Sequence, residues 1–220
     1  MVPAMLVGGG GAGGMVSIAD MDCTQIYGCF DPPIVCGSYK DVKKQIKGSG
    51  DQAEHLPPNS CFVTPPRAGG NAIPGCSGYT EGNAFSYNVF DGQTKFTQHK
   101  MLTDGARSIA KGFEGRSGPD NGTLNEWLDK SRDKIKDALK DKSGGAGGRG
   151  RIKGGENMSD EDKDALAAAA ADCLVQAAKD HYADESTGDV TGDTPLRNGI
   201  LPRRPSPPTS PGTQGGGGYP

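Results

Sequence analysis

The sequence predicts an α+β fold: a two-stranded hairpin and the helix after it form a small ββα core, enclosed by additional α-helices. Hydrophobic and polar residues alternate from Phe85 to Val89, which is the pattern of a half-buried strand. Capping residues at Thr123 and Ser159 precede long stretches with apolar residues at helical spacing. Both ends of the chain are rich in glycine, the C-terminal end also in proline, and we expect them to be disordered.

The composition limits the size of the core. Of the 220 residues, 33% are hydrophobic and 6% aromatic, while 36 are glycine and 16 are proline. Such a chain has material for one compact middle section and not for a large core. The predicted organisation is a Gly-rich leader or linker at 1–36, the hairpin-plus-helix core at 37–115, a helical extension at 116–185 and a disordered Gly/Pro-rich tail at 186–220.

Charge and hydropathy argue against several classes of protein. No run of about 18 apolar residues occurs, so no membrane partner is predicted. Residues 1–16 lack the basic flank of a secretion signal and are interpreted as a linker behind an upstream module. The net charge of −3 provides no overall attraction for nucleic acid, so such binding needs a local basic patch. The glycines at 8–13 match G-x-G-x-x-G, but no βαβ pattern follows, which argues against a dinucleotide site.

The remaining elements follow from residue spacing and from turn residues. Val42 and Ile46 lie four residues apart among charged residues, which indicates a short surface helix that the next glycines end. Leu102 and Ile109 indicate a helix after the hairpin. In chain order we predict a helix at 38–47, strands at 60–64 and 84–90, helices at 98–113, 123–142 and 159–182, and a Gly/Arg linker at 143–155.

Two of the three histidines lie in the one stretch that indicates a catalytic site. Hydrolysis of a phosphodiester requires an activated water and a cation that stabilises charge on the phosphate. In a ββα unit, a His at the end of the first strand is the base and an Asn carbonyl orients its ring. A neighbouring carboxylate and a His from the helix hold one divalent ion. We therefore predict His55 as the base, Asn83 as the orienting residue, and Glu54 and His99 as ligands of one Mg²⁺, Mn²⁺ or Zn²⁺.

Two of these assignments have alternatives. In an extended strand Asp51 shares a face with His55 and Glu54 does not, so Asp51 is the alternative metal ligand. The prolines at 57 and 58 suggest a bent loop that would let Glu54 turn inward, which favours Glu54. The candidates for the orienting amide, in order of preference, are Asn83 with Asn88, and then Asn59.

Basic residues near His99 are the candidates for phosphate contacts, although a solvated helix face would have the same composition. Arg149, Arg151 and Lys153 are interpreted as part of the flexible linker, with an arm that contacts DNA as the alternative. His181 lies at a predicted helix end, where a cation suits the helix dipole, and is interpreted as structural. The candidate nucleic-acid-binding residues are Lys95, Lys100, Arg107 and Lys111.

The motif Glu54-His55-Leu56-Pro57-Pro58, followed by Tyr79, Gly82-Asn83-Ala84 and Gln98-His99-Lys100, resembles the HNH/endonuclease VII-like nuclease toxin domains of bacterial polymorphic toxins. The resemblance covers about residues 50–113. It implies a ββα-metal site with His55 as base, Glu54 and His99 as ligands and Asn83 as orienter. It also implies metal-dependent cleavage of DNA, with RNA as the alternative substrate. The chain departs from several such families by having one His, not two, in the first motif.

The same resemblance implies a biological setting. The protein would be made in the bacterial cytoplasm, secreted behind a delivery module and delivered into a target cell as an antibacterial effector. A cognate immunity protein would protect the producer.

Two other functions compete with the nuclease. One is a cysteine-dependent hydrolase, with Cys36 or Cys61 as nucleophile and His55 or His99 as base. The other is a non-enzymatic interaction module that docks through the C-terminal helices. The six cysteines include no C-x-x-C pair, so a zinc ribbon is not indicated, and they are interpreted as buried or paired structural residues.

Overall fold

The computed structural model describes residues 4–6, 15–64, 70–90, 97–114, 122–141, 150–184 and 187–198. Helices and a small antiparallel sheet alternate along this part of the chain, which confirms the α+β class. None of the described helices combines the length and the apolar character needed to cross a membrane. The elements are β1 (Ala4–Leu6), β2 (Met15–Ser17), α1 (Cys23–Gly28), β3 (Cys36–Ser38), α2 (Tyr39–Gln45), β4 (Asp51–His55), β5 (Phe85–Phe90), α3 (Gln98–Phe113), α4 (Leu124–Lys140) and α5 (Asp160–Ala183).

A three-stranded antiparallel sheet lies at the centre of the fold, in the order β3-β5-β4. In the β4–β5 pair Asp51 lies opposite Phe90 and His55 lies opposite Ser86. β4 pairs with β5 alone among the described strands, so its other side is an edge of the sheet. β4 and β5 are antiparallel neighbours, but the strand paired with β5 is β4 and not residues 60–64, and the additional strand β3 makes the sheet larger than the predicted two-stranded hairpin.

The strand predicted at 60–64 is wrong for a physical reason. Residues 59–61 form a turn of 3-10 helix, and both Cys61 and the adjacent Phe62 are fully buried. The N–H groups of Cys61 and Phe62 donate to the carbonyls of Pro58 and Asn59, three residues earlier, so this backbone cannot pair as an extended strand. The apolar character of this segment comes from a buried turn, whose backbone bonds to Ile73 and Arg197.

The two long helices were predicted correctly. Thr123 and Glu126 form the reciprocal capping box of α4, and the Ser159 side chain accepts a hydrogen bond from the Asp162 backbone at the start of α5. Small side chains allow α5 to pack closely against α4. The buried apolar stripe of α4 includes Leu124, Leu128, Ile135 and Leu139, as the sequence predicts, and also Trp127 and Ala138.

Residues before the predicted core are packed into it. From Ile18 to Ile34 the chain contributes buried apolar side chains to the same hydrophobic cluster that contains α3, α4 and α5. This cluster crosses the predicted boundaries at 36/37 and 115/116. A disulfide between Cys23 and Cys173 joins α1 to α5 across 150 residues. Closing so long a loop restricts the unfolded chain and is typically worth about 2–4 kcal/mol.

The chain after α5 also packs against the body of the protein. Val190 and Leu196 are buried in the core cluster. Gly188, which has a φ of 77°, lies so close to Gly78 that a Cβ added at Gly78 would be 2.4 Å from the Gly188 Cα. Residues 199–220, which include most of the predicted disordered tail, lie outside the described residues.

The interpretation of Arg151 as part of a flexible linker is wrong. Its side chain is completely buried, with a relative exposure of 0%. The guanidinium donates hydrogen bonds to the carbonyls of Asn88 (2.8 Å) and Pro32 (2.9 Å) and to the Gln98 side chain (3.2 Å). The backbone around it pairs with residues 29–31, where the Asp31 N–H donates to the Arg151 carbonyl.

Gln98 and Asp51 complete the surroundings of Arg151. The Gln98 side chain accepts from the Phe90 N–H and donates to the Ala138 carbonyl, so it links β5 to α4. Burial lowers the pKa of the Arg151 guanidinium, and the nearby Asp51 carboxylate partly offsets this shift. One buried cation therefore connects the N-terminal segment, the sheet and α3.

We expect Arg151→Met to lower the free energy of unfolding by about 3 kcal/mol or more, because it leaves Asp51 without its nearby cation and buried acceptors without a donor. Arg132→Met is the matched control. Arg132 pairs with Asp172 at an exposed position, where such pairs contribute about 0–1 kcal/mol. Urea unfolding curves of the two variants measure the difference, and equal losses would contradict the central role of Arg151.

Candidate active site

A cleft of about 380 Å³ opens along the free edge of β4. The strand forms its floor, α3 forms one wall, and the buried turn at 58–61 forms another. Tyr39 from the start of α2 and Trp127 from α4 also line the cleft. Four predicted site residues reach it: Glu54, His55, His99 and Arg107.

Glu54 and His99 are in direct contact. The Glu54 Oε2 atom lies 2.5 Å from His99 Nδ1, although the residues are 45 positions apart in sequence. The Glu54 side chain is 12% exposed and that of His99 is 39% exposed, so the pair lies at the boundary between core and solvent. Thr97 caps the N-terminus of α3 and so places His99 in its first turn.

The contact does not arise from a bent loop, as the prolines suggested. β4 remains a strand through His55, so Glu54 points to the opposite face from Asp51 and His55. Glu54 lies opposite Tyr87, and α3 packs against β5. The carboxylate therefore meets His99 because the helix covers the Glu54 face of the sheet.

His55 lies at the end of β4 and is 7% exposed. Its ring stacks on Tyr39, with 4.2 Å between centroids and an interplanar angle of 26°. The Nε2 atom lies 3.9 Å from a carboxylate oxygen of Glu81. An imidazole held by an aromatic ring, with a carboxylate close to one nitrogen, is a suitable proton acceptor.

The three candidate asparagines have different surroundings. Asn83 does not line the cleft, and its backbone carbonyl accepts a hydrogen bond from His181. The Asn88 amide donates to Asp51 and to the Pro33 carbonyl. Asn59 does line the cleft, and its carbonyl oxygen accepts from the Tyr79 hydroxyl at 2.7 Å. The structure thus places Asn59, the least favoured of the three candidates, in the cleft.

Asp51 lies away from the Glu54–His99 pair. Its carboxylate accepts from the Asn88 amide at 2.8 Å. Burial raises the pKa of Asp51, while Arg151 and the Asn88 hydrogen bond act in the opposite direction. Asp51 therefore serves the buried network around Arg151.

Within the described ranges no group of three His, Cys, Asp or Glu side chains is arranged to hold a metal ion. The cleft offers the pair Glu54 and His99. A zinc site takes three or four protein ligands, which this pair does not supply. Mg²⁺ and Mn²⁺ prefer oxygen ligands, and Mg²⁺ usually keeps several waters and uses one or two carboxylates together with substrate phosphates. The Glu54 carboxylate suits Mg²⁺ or Mn²⁺, whereas the His99 imidazole is a donor that transition-metal ions prefer, so water or substrate phosphate would have to complete the coordination of an ion held here.

The predicted phosphate-binding residues on α3 are partly neutralised. Lys100 and Arg107 both bond to Asp104, and the contact with Lys100 is the main cause of the lowered pKa of Asp104. Lys111 is exposed on the same helix, and Lys95 lies outside the described residues.

The four cysteines outside the disulfide differ in their surroundings. Cys61 lines it and is fully buried, whereas Cys36 does not line it and contacts the Tyr27 hydroxyl. Burial raises the pKa of the Cys36 thiol, and it raises the pKa of the Cys76 thiol to about 11. The thiols of Cys36 and Cys76 are held in the protonated, unreactive form.

Tyr39 and Trp127 line the cleft, and neither is among the residues predicted from the sequence. Tyr39 begins a short charged helix, and Trp127 lies on the buried stripe of α4, so both are in patterns typical of structural residues. The single tryptophan of the chain was the one signal that could have drawn attention to α4.

No family model, curated protein or solved structure matches the chain.

We expect Cys36 and Cys76 to resist alkylation by iodoacetamide in the native protein at pH 8. With a pKa of about 11, Cys76 has about one thiolate per thousand thiols at that pH. Mass spectrometry of the treated protein measures the modification, and the urea-unfolded protein, in which both react, is the control. Rapid labelling of either thiol in the native state would contradict the raised pKa values.

Proposed function

We propose that the protein is a metal-dependent endonuclease that hydrolyses phosphodiester bonds of DNA. One observation carries the proposal: the Glu54-His55 motif of β4 and His99 of α3 line a single cleft. The elements follow one another as strand, strand and helix, with one His at the end of the first strand and the other in the first turn of the helix. This is the order expected for a ββα-metal site.

In this mechanism His55 removes a proton from a water molecule in the cleft. Stacking on Tyr39 limits rotation of the ring. Once the imidazole is protonated, the Glu81 carboxylate, 3.9 Å from Nε2, stabilises its positive charge. The strand end fixes the backbone of His55, so the base keeps one position relative to the floor of the cleft.

Glu54 and His99 would hold the divalent ion, which when bound stabilises charge on the phosphate and on the leaving oxygen. Their facing atoms are 2.5 Å apart, so the two side chains are hydrogen-bonded to each other. A bound ion would take the place of this hydrogen bond between the two residues. Arg107 on the wall of the cleft supplies a further positive charge for the phosphate.

The resemblance to toxin domains supports the rest of the proposal. The protein is made in the bacterial cytoplasm, secreted behind an upstream delivery module and delivered into a target cell. A cognate immunity protein binds it in the producer.

A cysteine-dependent hydrolase is the second candidate, because Cys61 lies in the same cleft as His55 and His99. The two functions are distinguished by inhibitors. EDTA abolishes the activity of the endonuclease and leaves a thiol hydrolase active, whereas alkylation of Cys61 has the reverse effect.

We expect His55→Ala to reduce plasmid cleavage roughly 10²–10⁴-fold while metal stays bound, because the variant loses the base and keeps the ligands. His99→Ala should weaken metal binding, and excess metal should partly restore cleavage. Gel assays with purified protein, with and without EDTA, and calorimetric titration with Mg²⁺ or Mn²⁺ measure both effects.

The matched control is His181→Gln. His181 lies outside the cleft and bonds to the Asn83 carbonyl, and glutamine keeps a donor there. This variant should cleave like the original protein. Equal metal affinity in the His55 and His99 variants would show that the two roles are misassigned, and full activity of both would favour the interaction module.

Expression of the intact chain in bacteria without a partner should arrest growth, because a nuclease in the cytoplasm degrades the chromosome. His55→Ala should be tolerated at the same expression level. Growth curves and nucleoid staining measure the effect. Harmless expression of a protein that cleaves DNA strongly in vitro would contradict the need for an immunity protein.

A further inference from the structure

Helix α2 has a basic face. Lys40, Lys43 and Lys44 lie on the helix and Lys47 lies in the turn that follows, and all four are exposed. At about 100° per residue, the three helical lysines fall within an arc of about 100°. Val42, on the other side of the helix, is fully buried in the core. The packing of α2 thus directs its lysines into solvent together.

Within the described residues, few neighbouring groups offset the charge of this face. Asp41 is the only acid of α2, and its carboxylate accepts a hydrogen bond from Ser38 at 2.5 Å. In the part of the chain that the structure describes, none of these four lysines forms an ion pair with a carboxylate. The lysines of α4 and α5 differ, since Lys136 and Lys140 both pair with Asp164.

The basic face begins at the rim of the cleft. Tyr39, the first residue of α2, lines the cleft and stacks on His55. The Lys43 Nζ atom lies 5.1 Å from the centroid of the Tyr39 ring. A chain of phosphates that passes over His55 would therefore continue onto the lysines of α2.

We propose that Lys40, Lys43, Lys44 and Lys47 form a binding surface for the sugar–phosphate backbone of nucleic acid. This inference rests on the proposed endonuclease function and names the surface that holds its substrate. Ammonium groups contact phosphates as point charges and read no bases, so binding is independent of sequence and falls steeply with salt. The surface also accounts for how a chain of net charge −3 retains a polyanion.

The test is equilibrium binding of a fluorescein-labelled DNA duplex, followed by anisotropy in EDTA so that cleavage does not interfere. We compare the original protein with the triple variant Lys40→Gln, Lys44→Gln and Lys47→Gln, and we leave Lys43 in place because it contacts Tyr39. The variant should bind at least about tenfold more weakly at low salt. The slope of log K against log salt should become shallower by about 0.9 for each phosphate that the variant no longer neutralises.

The control variant is Lys136→Gln, Lys140→Gln and Lys163→Gln, which changes the net charge equally at residues paired with Asp164 or Asp160. It should retain both the affinity and the slope. Thermal unfolding confirms that both variants are folded. A third variant, Lys100→Gln with Arg107→Gln, should lose less affinity for each cation removed than the α2 variant, because Asp104 already offsets part of their charge.

The outcomes separate this proposal from the endonuclease itself. Suppose that the original protein binds and cuts DNA. If the α2 variant then retains its affinity for DNA, or if the α3 variant loses more affinity for each cation removed than the α2 variant, the proposed surface is wrong and the endonuclease stands. If the original protein binds DNA through α2 but cuts no nucleic acid with any divalent ion, the surface stands and the endonuclease is wrong. If the original protein shows no salt-dependent binding to DNA, the proposed surface is overturned.

Discussion

The buried guanidinium of Arg151 is the contact on which the rest of the structure depends. It donates to Pro32 in the N-terminal segment, to Asn88 on β5 and to Gln98 at the start of α3. Each of these three segments brings a polar acceptor into the core, where it must be satisfied, and one side chain satisfies all three. A charge with no exposure is tolerated only when acceptors surround it and an opposite charge is near, which here is the carboxylate of Asp51. The network joins the start of α3 to β5 and, through Gln98, to α4, and α3 forms one wall of the cleft.

The position of β4 at the edge of the sheet determines what the cleft contains. Adjacent residues of a strand point to opposite faces, so Glu54 and His55 would be separated in a central strand. At an edge, a cleft can wrap around the strand and receive both side chains. α3 supplies His99 to the Glu54 face, and α2 supplies Tyr39 to the His55 face. The site thus needs one motif from the strand and one residue from each flanking helix.

The distribution of charge is uneven within an acidic chain. On α3, α4 and α5 many cations are paired with carboxylates of the same or the neighbouring helix, and these pairs contribute little to stability because most are exposed. On α2 the lysines are unpaired within the described structure and adjoin the cleft. The net charge of the chain therefore does not describe the electrostatic field near α2, because that field depends on the local arrangement of charges.

The sequence by itself determined the elements whose causes are local. The residues that specify α4 and α5, through capping and apolar spacing, and those that specify β5, through alternation, lie within a few positions of one another. The order of Glu54-His55 and His99 can be read directly from the sequence. Only the tertiary structure decided which distant segments meet: the Glu54–His99 contact, the approach of Asn59 to the cleft, the turn at 59–61 and the burial of Arg151. Periodicity specifies which face of an element is apolar and not which partner covers it. A basic residue among glycines, such as Arg151, is typical of a linker. Its burial depends on hydrogen-bond acceptors that come from distant parts of the chain, and the local sequence does not show them.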